Sequence, residues 1–224
     1  MIIRNNVSED TSQNNTEYSV SDSQEPEVYI VDDMEQVQDV VHLILESEGI
    51  KAKKFNSGEE FLAQKEISEI GCLLLDNQMP GMSGLDVQAA LLSRDINIPI
   101  IFISGDSRYN EVAEAVRDGA IYFLQKPFAR SDLLERVREA IDASRNITTK
   151  LLQSKKNREL LGSLTGRESQ VYQLVTDGLT NKAISESLDI SNGTVEFHRA
   201  NMMKKLHAKS LADLMEINRS LKVK

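Results

Sequence analysis

Between residues 27 and 143, short unbroken apolar runs alternate with amphipathic stretches, a pattern that very few architectures accept. The runs are Val28-Tyr29-Ile30-Val31, Cys72-Leu73-Leu74-Leu75, residues 98–103, and Ile121-Tyr122-Phe123-Leu124, with a weaker edge-strand candidate at 52–55. Runs without polar interruption suit parallel strands covered on both faces. Helical patterns lie between or after them, at 35–48 closed by Gly49, 59–64, 85–92, 110–118 closed by Gly119, and 132–143. Ser57-Gly58-Glu59-Glu60 has the capping-box pattern of a helix start. Five strands and five helices in alternation predict an open, doubly wound α/β domain with a five-stranded parallel sheet.

Beyond residue 143 the strand signal disappears. Leu151, Leu152, Leu160 and Leu161 predict a helical linker over 146–163, although two leucine pairs are too few for a coiled coil. The remainder, 164–224, reads as four helices. Thr165-Gly166-Arg167-Glu168 is a second capping box. A short helix from Thr180 to Leu188, a turn at Asp189-Ile190-Ser191 and a longer helix from Asn192 to about Leu206 predict a helix-turn-helix. A last helix is expected from Leu211 to about Arg219.

Charge follows the same division. Residues 1–26 carry five acids and one base and lack apolar periodicity, which predicts a disordered acidic tail. Residues 27–145 carry 22 acids and 12 bases, whereas 146–224 carry 8 acids and 13 bases. The net charge of −9 therefore hides a basic C-terminal region suited to an anionic partner. One cysteine, Cys72, excludes a disulfide framework and a multi-cysteine zinc site, and reads as a small buried residue. His42, His198 and His207 are too scattered for a histidine metal cluster. No run reaches the ~20 apolar residues of a membrane span and no signal-peptide core is visible, so a soluble, cytoplasmic protein is expected.

In a doubly wound sheet, ligands bind beyond the carboxyl ends of the strands. Here the strand ends deliver Asp32 and Asp33, then Asp76, then Ser104, then Lys126 followed by Pro127. Three carboxylates in one pocket call for a cation, and an all-oxygen set suits Mg²⁺. Lys126 supplies a point charge for a phosphoryl oxygen, the Ser104 hydroxyl can donate to another, and one carboxylate can attack phosphorus. Taken singly, each residue has a plainer reading: aspartates after a strand cap turns, a lone lysine is solvated, and Phe123 is core.

Together, Val31-Asp32-Asp33, Asp76-Asn77-Gln78-Met79-Pro80-Gly81-Met82-Ser83-Gly84, Ser104-Gly105 and Lys126-Pro127-Phe128 resemble the receiver domain of two-component response regulators, a flavodoxin-like fold. The resemblance spans about residues 27–145. It implies Asp76 as phospho-acceptor and a Mg²⁺ site of Asp32, Asp33, Asp76 and the Gln78 backbone carbonyl, with Asp32 acting largely through a metal-bound water. It further implies Ser104 and Lys126 as the phosphoryl grip, Ser104 and Phe123 as the switch, and a cis peptide at Pro127.

The C-terminal motifs Leu164-Thr165-Gly166-Arg167-Glu168, Gly178-Leu179-Thr180-Asn181-Lys182 and Thr194 to Leu206 resemble the LuxR-type helix-turn-helix, and the two parts together the FixJ-type regulators. In that geometry the second helix of the motif enters the major groove. Val195, Met202 and Leu206 are expected inward, leaving Glu196, Phe197, Arg199 and Ala200 toward DNA, with Arg199 able to reach guanine or phosphate. Thr180, Asn181, Lys182, Thr194, Lys204 and Lys205 are phosphate-contact candidates. Glu196 departs from the lysine common in LuxR-type domains, while suiting the FixJ-type pattern.

The resemblance thus implies a phosphorylation-controlled transcription regulator, not an enzyme beyond its own phosphotransfer and aspartyl-phosphate hydrolysis. Its expected partners are double-stranded DNA, a sensor histidine kinase and a second copy of itself, the dimer forming through the face from the fourth strand to the fifth helix. RNA polymerase stands as a further partner. Two other classes compete: a Mg²⁺-dependent phosphohydrolase, for which Asp76-Asn77-Gln78 lacks the second acid two residues on, and an interaction module without DNA.

Overall fold

The computed structural model describes residues 25–105 and 122–221. The tail up to residue 24, the helix expected at 110–118 and Ile121 lie outside the described residues. Five parallel strands, β1 (Glu27–Val31), β2 (Lys51–Phe55), β3 (Gly71–Asp76), β4 (Ile100–Ser104) and β5 (Tyr122–Gln125), form one sheet in the order β2-β1-β3-β4-β5. Helices α1 (Glu35–Glu46), α2 (Gly58–Leu62) and α3 (Gly84–Ser93) connect them, and α4 (Arg130–Gly162) follows β5.

The unbroken apolar runs exist because both faces of the sheet are covered. Val28, Ile30, Cys72, Leu74, Ile101 and Ile103 pack on one side against Val41 and Leu45 of α1 and Leu133 and Val137 of α4. Tyr29, Val31, Leu73, Leu75 and Phe102 point to the other, against Phe61 of α2 and Val87 and Leu91 of α3. Each such side chain contributes roughly 1.5–3 kcal/mol on burial. Cys72 is fully buried, and burial pushes its thiol up to about 12, so it behaves as an inert core residue.

Element boundaries shift where backbone chemistry overrides apolarity. The run expected at 98–103 pairs only from Ile100 to Ser104, because Pro99 has no N–H to donate. Its carbonyl does accept from the Leu73 N–H at 2.9 Å. Helix α1 stops at Glu46, two residues early, and Gly49 takes φ +72, the left-handed geometry that closes a helix. The capping box expected at Ser57 forms by half. Ser57 accepts from the Glu60 N–H, but the Glu60 carboxylate turns to the Asn56 N–H at 2.7 Å.

The helix expected at 132–143 and the linker expected at 146–163 are one helix of 33 residues, α4. No proline and no internal glycine interrupts it before Gly162. The receiver boundary expected at residue 145 is thus unmarked by any break. Hydrogen bonding to the segment that leads into β3 continues past it. Ser144 accepts from the Gly71 N–H at 3.1 Å and donates to the Glu69 carbonyl at 3.2 Å, and Thr148 donates to that same carbonyl at 2.8 Å.

Four helices complete the chain: α5 (Gly166–Thr176), α6 (Asn181–Leu188), α7 (Asn192–Lys205) and α8 (Leu211–Ser220). Thr165, Thr180, Ser191 and Ser210 each cap the helix that follows with a side-chain oxygen. Asp189, at φ +53, makes the sharp turn between α6 and α7. Val171, Val175, Ile184, Val195, Met202, Leu206, Leu214 and Ile217 form the core. The Asn157 amide donates to the Ser220 hydroxyl at 2.7 Å, joining α4 to α8. Among the described residues no helix is long and apolar enough to cross a membrane.

Candidate functional site

Parallel register brings the strand ends to one edge: Asp76 lies beside Ile103, and Ser104 beside Gln125. Asp32 follows β1 directly, with Asp33 next to it in the turn to α1. One oxygen from each of Asp32, Asp33 and Asp76 lies within 4.8 Å of the others. Asp32 and Asp76 are buried and Asp33 is exposed, so the cluster opens to solvent on one side. The Lys126 ammonium reaches in from the end of β5, 2.6 Å from Asp32 Oδ2 and 3.2 Å from Asp76 Oδ2. Of the residues that the sequence pattern set at successive strand ends, Asp32, Asp33, Asp76 and Lys126 therefore meet.

The electrostatics follow from crowding. Burial pushes the Asp76 carboxyl above its usual range, against the opposing pull of Lys126 and of the Gln78 N–H, which donates to Asp76 Oδ1 at 3.3 Å. For Lys126, burial acts downward, but the hydrogen bonds and charges of Asp32 and Asp76 outweigh it and hold the ammonium above its ordinary value. The Met34 N–H donates to Asp32 Oδ1 at 2.9 Å and fixes that carboxylate from the backbone.

Ser104 is buried at the end of β4, and Phe123 on β5 is half-buried against the core on the α2–α3 side. Gly84 packs so tightly behind the cluster that a Cβ there would lie 2.6 Å from the Asp76 carbonyl oxygen. The Lys126–Pro127 peptide is cis. All-oxygen ligands at this spacing, with negative charge in excess of the one ammonium, match a small hard divalent cation.

In the C-terminal helices, Val195, Met202 and Leu206 are buried as expected, and Glu196, Phe197 and Ala200 lie exposed along α7. Phe197 is 63% exposed, unusual for a large aromatic on a helix that also carries a core face. Thr180 and Lys182 are exposed at the start of α6, as is Lys204 near the end of α7. Thr194 shares a hydrogen bond with Ser191 at 2.8 Å. Arg199 donates to Asn181 Oδ1 at 2.7 Å, joining two candidates from different helices.

Lys205 stands apart from the other phosphate-contact candidates. Its ammonium is 2.6 Å from Glu168 Oε2 and 3.2 Å from the Ser163 carbonyl oxygen, so it ties α7 to the start of α5. With the Thr165 N–H bonding the same carboxylate, Lys205 pulls Glu168 down to about 2.

Two family profiles match the chain: "Response regulator receiver domain" over residues 28–138 and "Bacterial regulatory proteins, luxR family" over residues 162–217. The response regulator protein TmoT of Ectopseudomonas mendocina is 40% identical over 89% of this chain and 90% of its own length. The chain belongs to the response regulators. Transcriptional regulatory protein FixJ of Rhizobium meliloti is 38% identical over 85% of this chain and 93% of its own. Among solved structures, response regulator StyR matches with a TM-score of 0.73 at 36% identity, covering 88% of this chain and 99% of that one. Full-length FixJ from B. japonicum matches at 0.54 and 30%, covering 88% and 97%.

This response regulator accordingly joins a receiver to a LuxR-type DNA-binding domain and regulates transcription under the control of phosphorylation. DNA and a kinase are its partners. The sequence reading missed Gln38, a buried polar side chain whose amide meets the backbone of Asp32. Its only signal was a glutamine placed on the core-facing stripe of α1.

Proposed function

We propose that Asp76 accepts the phosphoryl group from a histidine kinase and that the modification promotes receiver dimerisation and promoter binding. The observation that carries this reading is the single ammonium of Lys126 spanning Asp32 and Asp76 inside a three-carboxylate cluster. A carboxylate oxygen of Asp76 bonds to phosphorus while the P–N bond of the donor phosphohistidine breaks, and the imidazole nitrogen keeps the electron pair and takes up a proton. Lys126 and the Ser104 hydroxyl then hold phosphoryl oxygens.

Asp32, Asp33, Asp76 and the Gln78 carbonyl would hold Mg²⁺, which screens the negative charge of the incoming phosphoryl group. Slow hydrolysis of the aspartyl phosphate at the same residues ends the signal. Ser104 and Phe123 report the change to the face that runs from β4 through to α4, where two copies pair. An aspartyl phosphate shifts the population only by the difference in its affinity for the two states.

At the DNA, Glu196, Phe197, Arg199 and Ala200 read base edges, Asn181 holds Arg199 in place, and Thr180, Lys182, Thr194 and Lys204 set register on phosphates. Two chains present paired α7 helices to half-sites about one DNA turn apart. The working units are an acidic tail (1–26), receiver (27–145), linker (146–163) and DNA-binding domain (164–224). The protein acts in the cytoplasm, and RNA polymerase is its partner at the promoter. The decisive test is incorporation of phosphate from acetyl phosphate or a cognate kinase. Asp76→Asn should take up none, and undiminished labelling would remove Asp76 from the role.

A further inference from the structure

We propose that Gln38 and Glu59, neither of them a ligand, position the two halves of the carboxylate site from one shared brace at the β2 edge. The inference rests on the Mg²⁺ reading above and deepens it. Gln38 is 2% exposed, on the second turn of α1. Its side-chain nitrogen lies 2.5 Å from the Asp32 carbonyl oxygen, 2.9 Å from the Phe55 carbonyl oxygen and 3.1 Å from Asn56 Oδ1. The Asp32 N–H donates to the Phe55 carbonyl at 3.2 Å. The peptide groups on both sides of Asp32 are therefore anchored to the end of β2.

The anchor continues along the chain. Asn56 donates its N–H to Glu60 Oε2 at 2.7 Å, at the start of α2. On the neighbouring residue, Glu59 Oε1 accepts from the Met82 N–H at 3.0 Å. Gly81, at φ +82, passes so close that a Cβ would lie 2.7 Å from that oxygen. Met82 and Gly81 belong to the loop between Asp76 and Ser83, which also carries Gln78. One short helix thus holds the Asp32–Asp33 turn through Gln38 and the Gln78 loop through Glu59.

The physical need is plain. Three carboxylates gathered within 4.8 Å repel before a cation arrives. Lys126 draws two of the side chains together but touches neither loop backbone of the acidic turns. Outer partners of metal ligands act by fixing ligand geometry, and their loss commonly weakens metal binding by roughly 10–100-fold. A glutamine buried merely to satisfy itself would leave cation affinity alone when replaced.

The test titrates Mg²⁺ alone into the full, unphosphorylated chain by calorimetry, alongside melting in its absence. Glu59→Ala, at an exposed position, should raise the Mg²⁺ Kd roughly tenfold with no change in the Mg²⁺-free Tm. Glu59→Gln keeps an acceptor oxygen for Met82 and should restore affinity close to that of the wild type. Gln38→Met should raise Kd at least as much. If both Glu59→Ala and Gln38→Met bind Mg²⁺ as the wild type does, while Asp33→Asn does not bind it, the brace is refuted and the ligand assignment stands. If Asp33→Asn binds Mg²⁺ undiminished, the ligand assignment falls and takes the brace with it.

Discussion

Arg199 on α7 donates to Asn181 Oδ1 on α6 at 2.7 Å, so a side chain of the recognition helix is held before any DNA arrives. A long arginine otherwise loses rotamer freedom on binding, which costs up to about 2 kcal/mol. The bond removes part of that cost in advance. Asn181→Ala should therefore leave the fold intact and weaken binding to a cognate duplex by roughly five- to tenfold. Binding to a scrambled duplex should change much less. Fluorescence anisotropy with both duplexes separates the two effects, and equal losses on both would assign Asn181 to phosphate contact instead.

Lys182 and Lys205, both basic residues of the helix-turn-helix region, should behave differently. Lys182 is exposed, whereas the Lys205 ammonium is committed to Glu168 and Ser163. Replacing Lys182 by alanine should lower the slope of log K against log salt by about 0.9 for each phosphate that the lysine neutralises. Lys205→Ala should leave the slope unchanged and lower the melting temperature of the C-terminal helices, because Glu168 loses its charged partner.

That same ion pair sets a pH dependence. Glu168 is held at about 2 in the folded chain, against an ordinary value of 4.5. A depressed carboxylate stabilises the fold in full above its unfolded value, and the contribution disappears as pH falls through the folded one. Stability of the C-terminal helices should thus fall between about pH 4.5 and pH 2 from this group. Glu168→Gln should be less stable at neutral pH and show a flatter acid limb in circular-dichroism melts. An unchanged limb would mean that Glu168 is equally perturbed in the unfolded chain.

At the receiver, Lys126→Met should abolish stable phosphate incorporation at the acceptor, although the fold persists in circular dichroism. Chelation of divalent cations should have the same effect on the wild type and be reversed by added Mg²⁺. Phosphate uptake in the presence of chelator would remove the metal from the reaction.

In the core, Leu74→Ala should cost about 2–5 kcal/mol, since Leu74 is fully buried in the centre of the sheet. Urea unfolding followed at the receiver would read it directly.

The fold was largely legible because a sheet covered on both faces leaves apolar runs such as Cys72 to Leu75, and Asp32, Asp76, Ser104 and Lys126 stand at the ends of such runs. What escaped was pairing across space. Lys205 looked like one more phosphate-contact lysine beside Lys204, since nothing local reveals a carboxylate 37 positions earlier. Gln38 looked like one more polar helix residue, because its acceptors are backbone carbonyls, which every sequence has. The strand at 98–103 was drawn too long because Ile98 is apolar enough to pack, while the missing N–H of Pro99 delays the ladder.

The unbroken α4 has a mechanical meaning. From the ties at Glu69 it runs on for about 20 Å to Gly162 at 1.5 Å per residue, with no joint along the way. It works as a crank fixed at the base of the sheet. A rotation of about 5° there carries the far end roughly 2 Å sideways, more than half the rise of one base pair. A receiver rearrangement that turned this base by a few degrees would therefore arrive at Gly162 enlarged.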